Sequence, residues 1–221
     1  MTNKKVQIVF DNCIDGDMHA SLWGFSAYLP EYRLLLDTGS NGRVLLKNIE
    51  EKGIDITDIR YLFITHDHWD HTGGIDSVLE LNDHLIIYAP YTLSKNYIRD
   101  LRSMSKEVIV VERQPILIEE GLYSTGILGR KYPEHSLVIA DEYAAVVTGC
   151  GHFGVDNIVE AARGIIGRDI TEVIGGFHLH SAEETDISSQ IERLQSMGIR
   201  YATPTHCTGP KASQMFAEVF A

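Results

Sequence analysis

Apolar and polar positions alternate from Lys4 to Phe10, which predicts a strand. Asn12 to Trp23 is polar and Gly-containing, a predicted loop. Phe25 to Leu29 and Arg33 to Leu36 predict a hairpin around Pro30-Glu31, its second strand ending in Asp37-Thr38-Gly39. Asn41 then stands as the cap of a helix with Val44, Leu45 and Ile49 on one face, stopped by Gly53. Tyr61 to Ile64 predicts a strand, Ile75 to Leu81 a short helix, His84 to Tyr88 a strand, Leu93 to Met104 a helix and Glu107 to Val111 a strand. Pro115 to Leu128 suggests two short strands, and Ser136 to Ala140 pairs with Ala144 to Thr148 around Asp141-Glu142. Val155 to Ile166 follows as a helix with Ile158, Ala162 and Ile165 on one face. Then come a strand at Glu172 to Ile174, an amphipathic helix marked by Ile187, Ile191 and Leu194, and a last strand at Arg200 to Thr203. Pro210 sits at the first position of a final helix.

That order predicts a mixed α/β (α+β) chain. Strands with hairpins, then a helix and more strands, with the trend repeated in the second half, fit two sheets with helices on the outer faces, a four-layer αββα sandwich. No linker or low-complexity segment interrupts residues 1–221, so a single domain is expected. The balance of 19 basic against 31 acidic residues, net −12, argues against a generic nucleic-acid binder, which would carry a basic face. No apolar run approaches the roughly 18–20 residues of a membrane span. Nothing near Met1 resembles a secretory signal, so a cytoplasmic chain without membrane partners is expected. Cys13, Cys150 and Cys207 are odd in number and widely spaced, which is no disulfide framework.

The densest chemistry follows the apolar run Tyr61-Leu62-Phe63-Ile64. There Thr65-His66-Asp67-His68-Trp69-Asp70-His71 packs three imidazoles and two further carboxylates ahead of Gly73-Gly74. Residues two apart in an extended segment project to one side, so His66 and His68 can reach one metal, with Asp70 and His71 available to a second. Imidazole with carboxylate suits zinc, and also iron or manganese. Asp67 is expected either to support a ligand from behind or to cap the following turn. The glycines are expected to let the backbone turn tightly and start the next helix close to the site.

The pattern His66-x-His68-x-Asp70-His71 resembles the signature of the metallo-β-lactamase-fold hydrolases. Leu34-Leu35-Leu36-Asp37-Thr38-Gly39 resembles that family's first motif, an Asp at a strand end that supports the metal loop. Further matches point to one subgroup, the metal-dependent hydrolases that include the archaeal dihydropterin-ribofuranosylaminobenzene-phosphate synthase. They are Asp11-Asn12, Gly24-Phe25-Ser26, Thr148-Gly149-Cys150-Gly151-His152, Gly175-Gly176-Phe177-His178-Leu179 and His206-Cys207-Thr208-Gly209. The resemblance implies an αββα fold with one or two metal ions at one edge of the sandwich.

His152 stands just past a strand and before a helix, where a ligand from the second sheet should project; a capping or core role is the alternative. His206 has the same layout, and the resemblance makes it the last metal ligand. His178, by resemblance, lines the site as ligand or proton-transfer group, against a structural role. Many family members bridge two metals with an Asp near the end of a strand like Ala144 to Thr148; here Cys150-Gly151-His152 stands there without a carboxylate. Cys150 is then a thiolate ligand or a small buried residue, and Cys207 a weaker candidate. His135 competes for a ligand position, because many members carry a metal His before the penultimate strand. His19, His84 and His180 are read as surface, core or loop residues. Trp23 replaces the His that usually precedes Gly-x-Ser in the subgroup, which bears on the substrate.

The expected activity is hydrolysis of a small anionic or ester-like substrate, a phosphoester among them, by metal-activated water, with Asp70 or His178 handling protons. The alternatives are a metal-dependent transferase of the pterin/aminobenzoate type and a non-hydrolytic diiron or ligand-sensing protein.

Overall fold

The computed structural model describes residues 5–12 and 20–220. Cys13, His19, Lys4 at the start of the first predicted strand and the middle of the first polar loop lie outside the described residues. The chain divides into two compact units, Met1–Val111 and Glu112–Ala221, each with one six-stranded sheet.

In the first unit β1 (Gln7–Phe10), β2 (Ser26–Leu29), β3 (Leu34–Leu36), β4 (Tyr61–Phe63), β5 (Ile86–Pro90) and β6 (Glu107–Val111) lie side by side in chain order. β1 to β3 are antiparallel and β3 to β6 parallel. Parallel neighbours need long crossovers. These are α1 (Gly42–Glu51), then α2 (Trp69–Thr72) with α3 (Ile75–Leu79), then α4 (Lys95–Met104). Leu45 and Ile49 of α1, Val78 of α3 and Ile98 and Leu101 of α4 pack in one buried cluster with Leu35, Leu62 and Ile87 of the sheet.

Local chemistry sets the ends. Asn41 Oδ1 accepts from Val44 N at 3.1 Å and starts α1 as expected. Ser94 Oγ accepts from Tyr97 N at 3.1 Å and starts α4 two residues after Leu93. Arg33 was expected in a strand, but it takes a left-handed φ of 48° and its N–H bonds Pro30 O, closing the hairpin turn. His84 was likewise expected to open β5; it stands exposed in a turn fixed by Asn82 Oδ1, which accepts from its N–H at 3.0 Å.

The second unit orders its sheet β12-β11-β10-β9-β8-β7, with β7 (Ile116–Glu119), β8 (Leu122–Ser124), β9 (Leu137–Ala140), β10 (Ala144–Thr148), β11 (Glu172–Gly176) and β12 (Tyr201–Thr205). β7 to β10 are antiparallel and β10 to β12 parallel. The crossovers are α5 (Val155–Ile166) and α6 (Glu184–Ser196), and α7 (Pro210–Phe220) closes the unit. Val155, Ile158, Ala162, Ile187, Ile191, Leu194 and Phe216 bury their apolar faces with Val146 and Val173. No helix among the described residues is long and apolar enough to cross a membrane.

In both units the His-bearing loops leave the carboxyl ends of parallel strands, where an α/β sheet presents ligand sites. β3 runs into Asp37, β4 into His66–His71, β10 into Gly149–His152, β11 into His178 and β12 into His206.

The first unit also depends on a buried amide. Asn48 Nδ2 donates to Val9 O at 2.9 Å and Ala20 O at 3.2 Å, and its Oδ1 accepts from Ala20 N. Asn48→Ala strands buried main-chain groups and is expected to cost about 1–3 kcal/mol. Loss of the exposed cap in Asn41→Ala is expected to cost about 1 kcal/mol. Urea denaturation of both variants checks the order.

Candidate metal centre

The first donor set is built around Asp37, which is fully buried at the end of β3. Its Oδ1 accepts from Thr65 N at 2.8 Å, and its Oδ2 accepts from Thr65 Oγ1 at 2.7 Å and from His71 Nδ1 at 2.6 Å. Burial raises the Asp37 carboxyl pKa, and the His71 and Thr65 contacts oppose that rise. These bonds decide ring tautomers. His71 carries its proton on Nδ1, so its lone pair is at Nε2. The only hydrogen of Thr65 Oγ1 goes to Asp37, so at the 2.9 Å contact with His66 Nδ1 the hydroxyl oxygen accepts. His66 therefore also has its lone pair at Nε2.

That Nε2 lies 3.0 Å from His68 Nδ1, and the His66 ring lies 4.2 Å from that of His71, centroid to centroid. Asp70 Oδ2 is 3.9 Å from His71 Nε2. Two nitrogens bound to one tetrahedral zinc at about 2.0–2.1 Å stand roughly 3.3 Å apart, so this spacing fits a shared metal. His66, Asp70 and His71 are buried, and His68 is half-buried. Asp67 is exposed, and His68 holds the cap position of α2, so Asp67 does not cap that turn.

Main-chain bonds lock this loop. Thr38 N and Oγ1 both donate to His71 O, at 2.8 and 2.9 Å. Gly73 and Gly74 have negative φ, so tight turning is not why they are glycine. A Cβ at Gly73 would stand 2.5 Å from Ser40 O, and one at Gly74 2.6 Å from Thr38 O. Close approach of two backbones is the reason.

The second donor set lies at the ends of β10, β11 and β12. Register pairs Thr148 with Gly175 and Gly176 with Thr205, which brings the three following loops level. A Cβ on Gly175 would lie 2.1 Å from Thr148 O, and one on Gly176 2.6 Å from Cys207 Sγ, so only glycines permit the approach. The His152 and His178 rings lie 4.7 Å apart. Cys150, His206 and Cys207 offer donor atoms within 4.8 Å of one another, all buried. Thr205 Oγ1, one residue before His206, is buried without a hydrogen-bond partner among the described residues.

Neither described cysteine is in a disulfide, and Cys207 Sγ donates to Cys150 O at 3.4 Å. A separate contact with the Cys150 side chain, and further contacts with His178 and His206, hold the Cys207 pKa well below its usual range against the effect of burial. The bond to Cys207 raises the pKa of His178. His178 is exposed and belongs to none of the donor groups within 4.8 Å among the described residues. Asp37, His178 and His206 all adopt left-handed φ, at 54°, 53° and 48°. Such a conformation costs roughly 1–2 kcal/mol per residue outside glycine.

His135 is absent from those donor groups too; it is fully buried, with Nδ1 2.8 Å from Ser124 Oγ. Its neighbour Glu134 joins the His152 cluster instead, which the sequence reading missed. Its Oε2 accepts from His152 Nδ1 at 2.7 Å. In extended chain, adjacent side chains face opposite ways, so only one of the pair can reach it. A carboxylate beside a His ahead of a predicted strand was the available signal. Beside His152 and His178 opens a cavity of about 440 Å³ that also carries Asp156, Asp186, Gln190 and Arg193. Arg193 is paired to Asp156 at 2.8 Å.

The profile of the metallo-beta-lactamase superfamily matches residues 27–126, a stretch that includes the His66–His71 loop. The chain is 28% identical to the 7,8-dihydropterin-6-methyl-4-(beta-D-ribofuranosyl)-aminobenzene-5'-phosphate synthase of Methanocaldococcus jannaschii, over 85% of this chain and 79% of that one. It is 26% identical to an uncharacterized protein of the same organism, over 94% and 91% of the two chains. A solved structure described as a metal-dependent hydrolase of the beta-lactamase superfamily superposes with a TM-score of 0.77 at 25% identity, covering 97% of this chain and 92% of that one. The chain has the metallo-β-lactamase fold, with two six-stranded sheets flanked by helices. That fold, with the candidate His, Asp and Cys donors, implies metal binding.

His152→Ala is expected to lower the metal content of the purified protein more than His135→Ala. Elemental analysis per chain checks this, and the reverse order would make His135 the ligand.

Proposed function

We propose that this chain is a metal-dependent enzyme, a cytoplasmic hydrolase of a small anionic or ester-like substrate, with phosphoesters the first class to try. Its proposed ligands are His66, His68, Asp70 and His71 in the first unit and His152 and His206 in the second, with zinc as the metal and iron or manganese as alternatives. The observation that carries the reading is the tautomer control by Asp37, which gives both His66 and His71 an Nε2 lone pair 3.0 and 3.9 Å from the next donor. A bound metal would supply acidified water, with a pKa lowered toward about 7, and would polarise the substrate oxygen.

The chain's own residues do the rest. Asp70, buried beside His71, accepts a proton at its carboxylate. The exposed His178 imidazole, its pKa raised by Cys207, returns one to the leaving group. The acidic net charge of −12 favours a small molecule over nucleic acid.

A second reading is group transfer of the pterin/aminobenzoate type. It draws on the 28% identity to the synthase and on the cavity beside His152, whose Asp186 carboxylate suits a ligand with N–H donors. Against it, Trp23 replaces the subgroup's usual His. Turnover of a pterin diphosphate only with an aminobenzoate-type acceptor would favour transfer over hydrolysis.

His68→Ala and His206→Ala are each expected to lose metal and activity while keeping the native circular dichroism spectrum. Activity is read on a panel of a phosphodiester, a phosphomonoester and a lactone. Full metal stoichiometry in both variants would sink the ligand assignment.

A further inference from the structure

After β10 the chain turns through Gly149, Cys150, Gly151 and His152, and four successive main-chain N–H groups converge on one carboxylate. Glu134 Oε1 accepts from Gly149 N at 3.1 Å, Cys150 N at 2.8 Å and Gly151 N at 3.0 Å. Glu134 Oε2 accepts from His152 N at 3.1 Å and from His152 Nδ1 at 2.7 Å. Consecutive N–H groups in such a turn form a concave anion site. Here a side chain of the same unit fills it.

The filling group is rigidly mounted. Glu134 and Leu128 exchange main-chain hydrogen bonds in both directions, at 2.8 and 3.1 Å. The Glu134 and His152 side chains are each 2% exposed. Two carboxylate oxygens offer about four lone-pair sites. Five donors saturate them, so this carboxylate does not double as a metal ligand.

We infer that Glu134 is the positioning residue of the second donor set. It ties down the Gly149–His152 turn and holds the His152 proton on Nδ1, which puts the ring's lone pair at Nε2, where a metal takes it. The inference deepens the metal-enzyme reading and rests on it for its functional meaning. It also accounts for the missing carboxylate at the strand end. The acid is present, but it comes from the segment before β9 and acts on the ligand rather than on the metal. Outer partners of this kind are worth 10–100-fold in metal affinity.

The test begins on native protein stripped of metal with a chelator. Long-range proton–nitrogen correlation spectra, with the His152 ring assigned by comparison with His152→Asn, are expected to show a neutral ring protonated on Nδ1. In Glu134→Gln that fixed tautomer is expected to give way to Nε2–H or a mixture, and zinc affinity, measured by chelator competition, to fall about 10–100-fold. His135→Ala serves as the neighbouring control, with an unchanged His152 spectrum. A native His152 protonated on Nε2, or a folded Glu134→Gln protein that keeps the Nδ1–H ring, would overturn the inference. If Glu134→Gln does not fold, the native spectrum alone decides. If the tautomers behave as expected but native protein takes up no zinc, iron or manganese, the metal-enzyme reading fails while the positioning role of Glu134 stands.

Discussion

Everything in the first unit's site depends on one buried carboxylate. Removing Asp37 from water is costly unless its oxygens are bonded, and the three donors that bond them come from the histidine loop itself. The same bonds hold β3 and β4 in their register of Leu36 against Phe63, seat Thr65, and fix His71 directly and His66 through the Thr65 hydroxyl. Structure and chemistry are therefore not separable at this residue. A carboxamide of the same size would keep the shape and lose the proton order.

The second unit meets the same requirement by a different route. Glu134 satisfies its oxygens mainly with main-chain N–H groups, so the backbone turn and the ring of His152 are set together. In each unit a parallel-strand end supplies the loop, and an acid next to a strand of the same unit supplies the proton control.

Order at the donor loops has an energetic cost. Three of the four described non-glycine residues with left-handed backbone are Asp37, His178 and His206, all one or two residues past a strand. Strain of this kind persists where the surroundings over-determine it. Here ladder register on one side, and side-chain bonds such as that from Phe177 N to Thr208 Oγ1 at 3.0 Å on the other, leave these residues little alternative. The glycines at 175 and 176 complete the arrangement by letting β10, β11 and β12 converge.

The sequence by itself determined the element order, the His66–His71 motif and the metallo-β-lactamase fold. The first two are written in local signals, namely the period of apolar positions, the Asn41 cap and a run of donor residues close in the chain; the fold followed from the resemblance of the His66–His71 and Asp37-Thr38-Gly39 motifs to a known family. Element ends were legible only where a side chain in the segment set them, as at Asn41. They shifted where a turn bond intervened, as at Arg33 and His84. The tertiary structure alone decided which of two adjacent residues, Glu134 or His135, joins the His152 cluster. Both are buried polar residues before a strand, and nothing local separates them. The direction each side chain takes follows from the pairing of Glu134 with Leu128, and the partner of Glu134 is a turn 15 to 18 residues further on. Which ring nitrogen carries a proton is likewise a property of partners, and partners distant in sequence are found only in the fold.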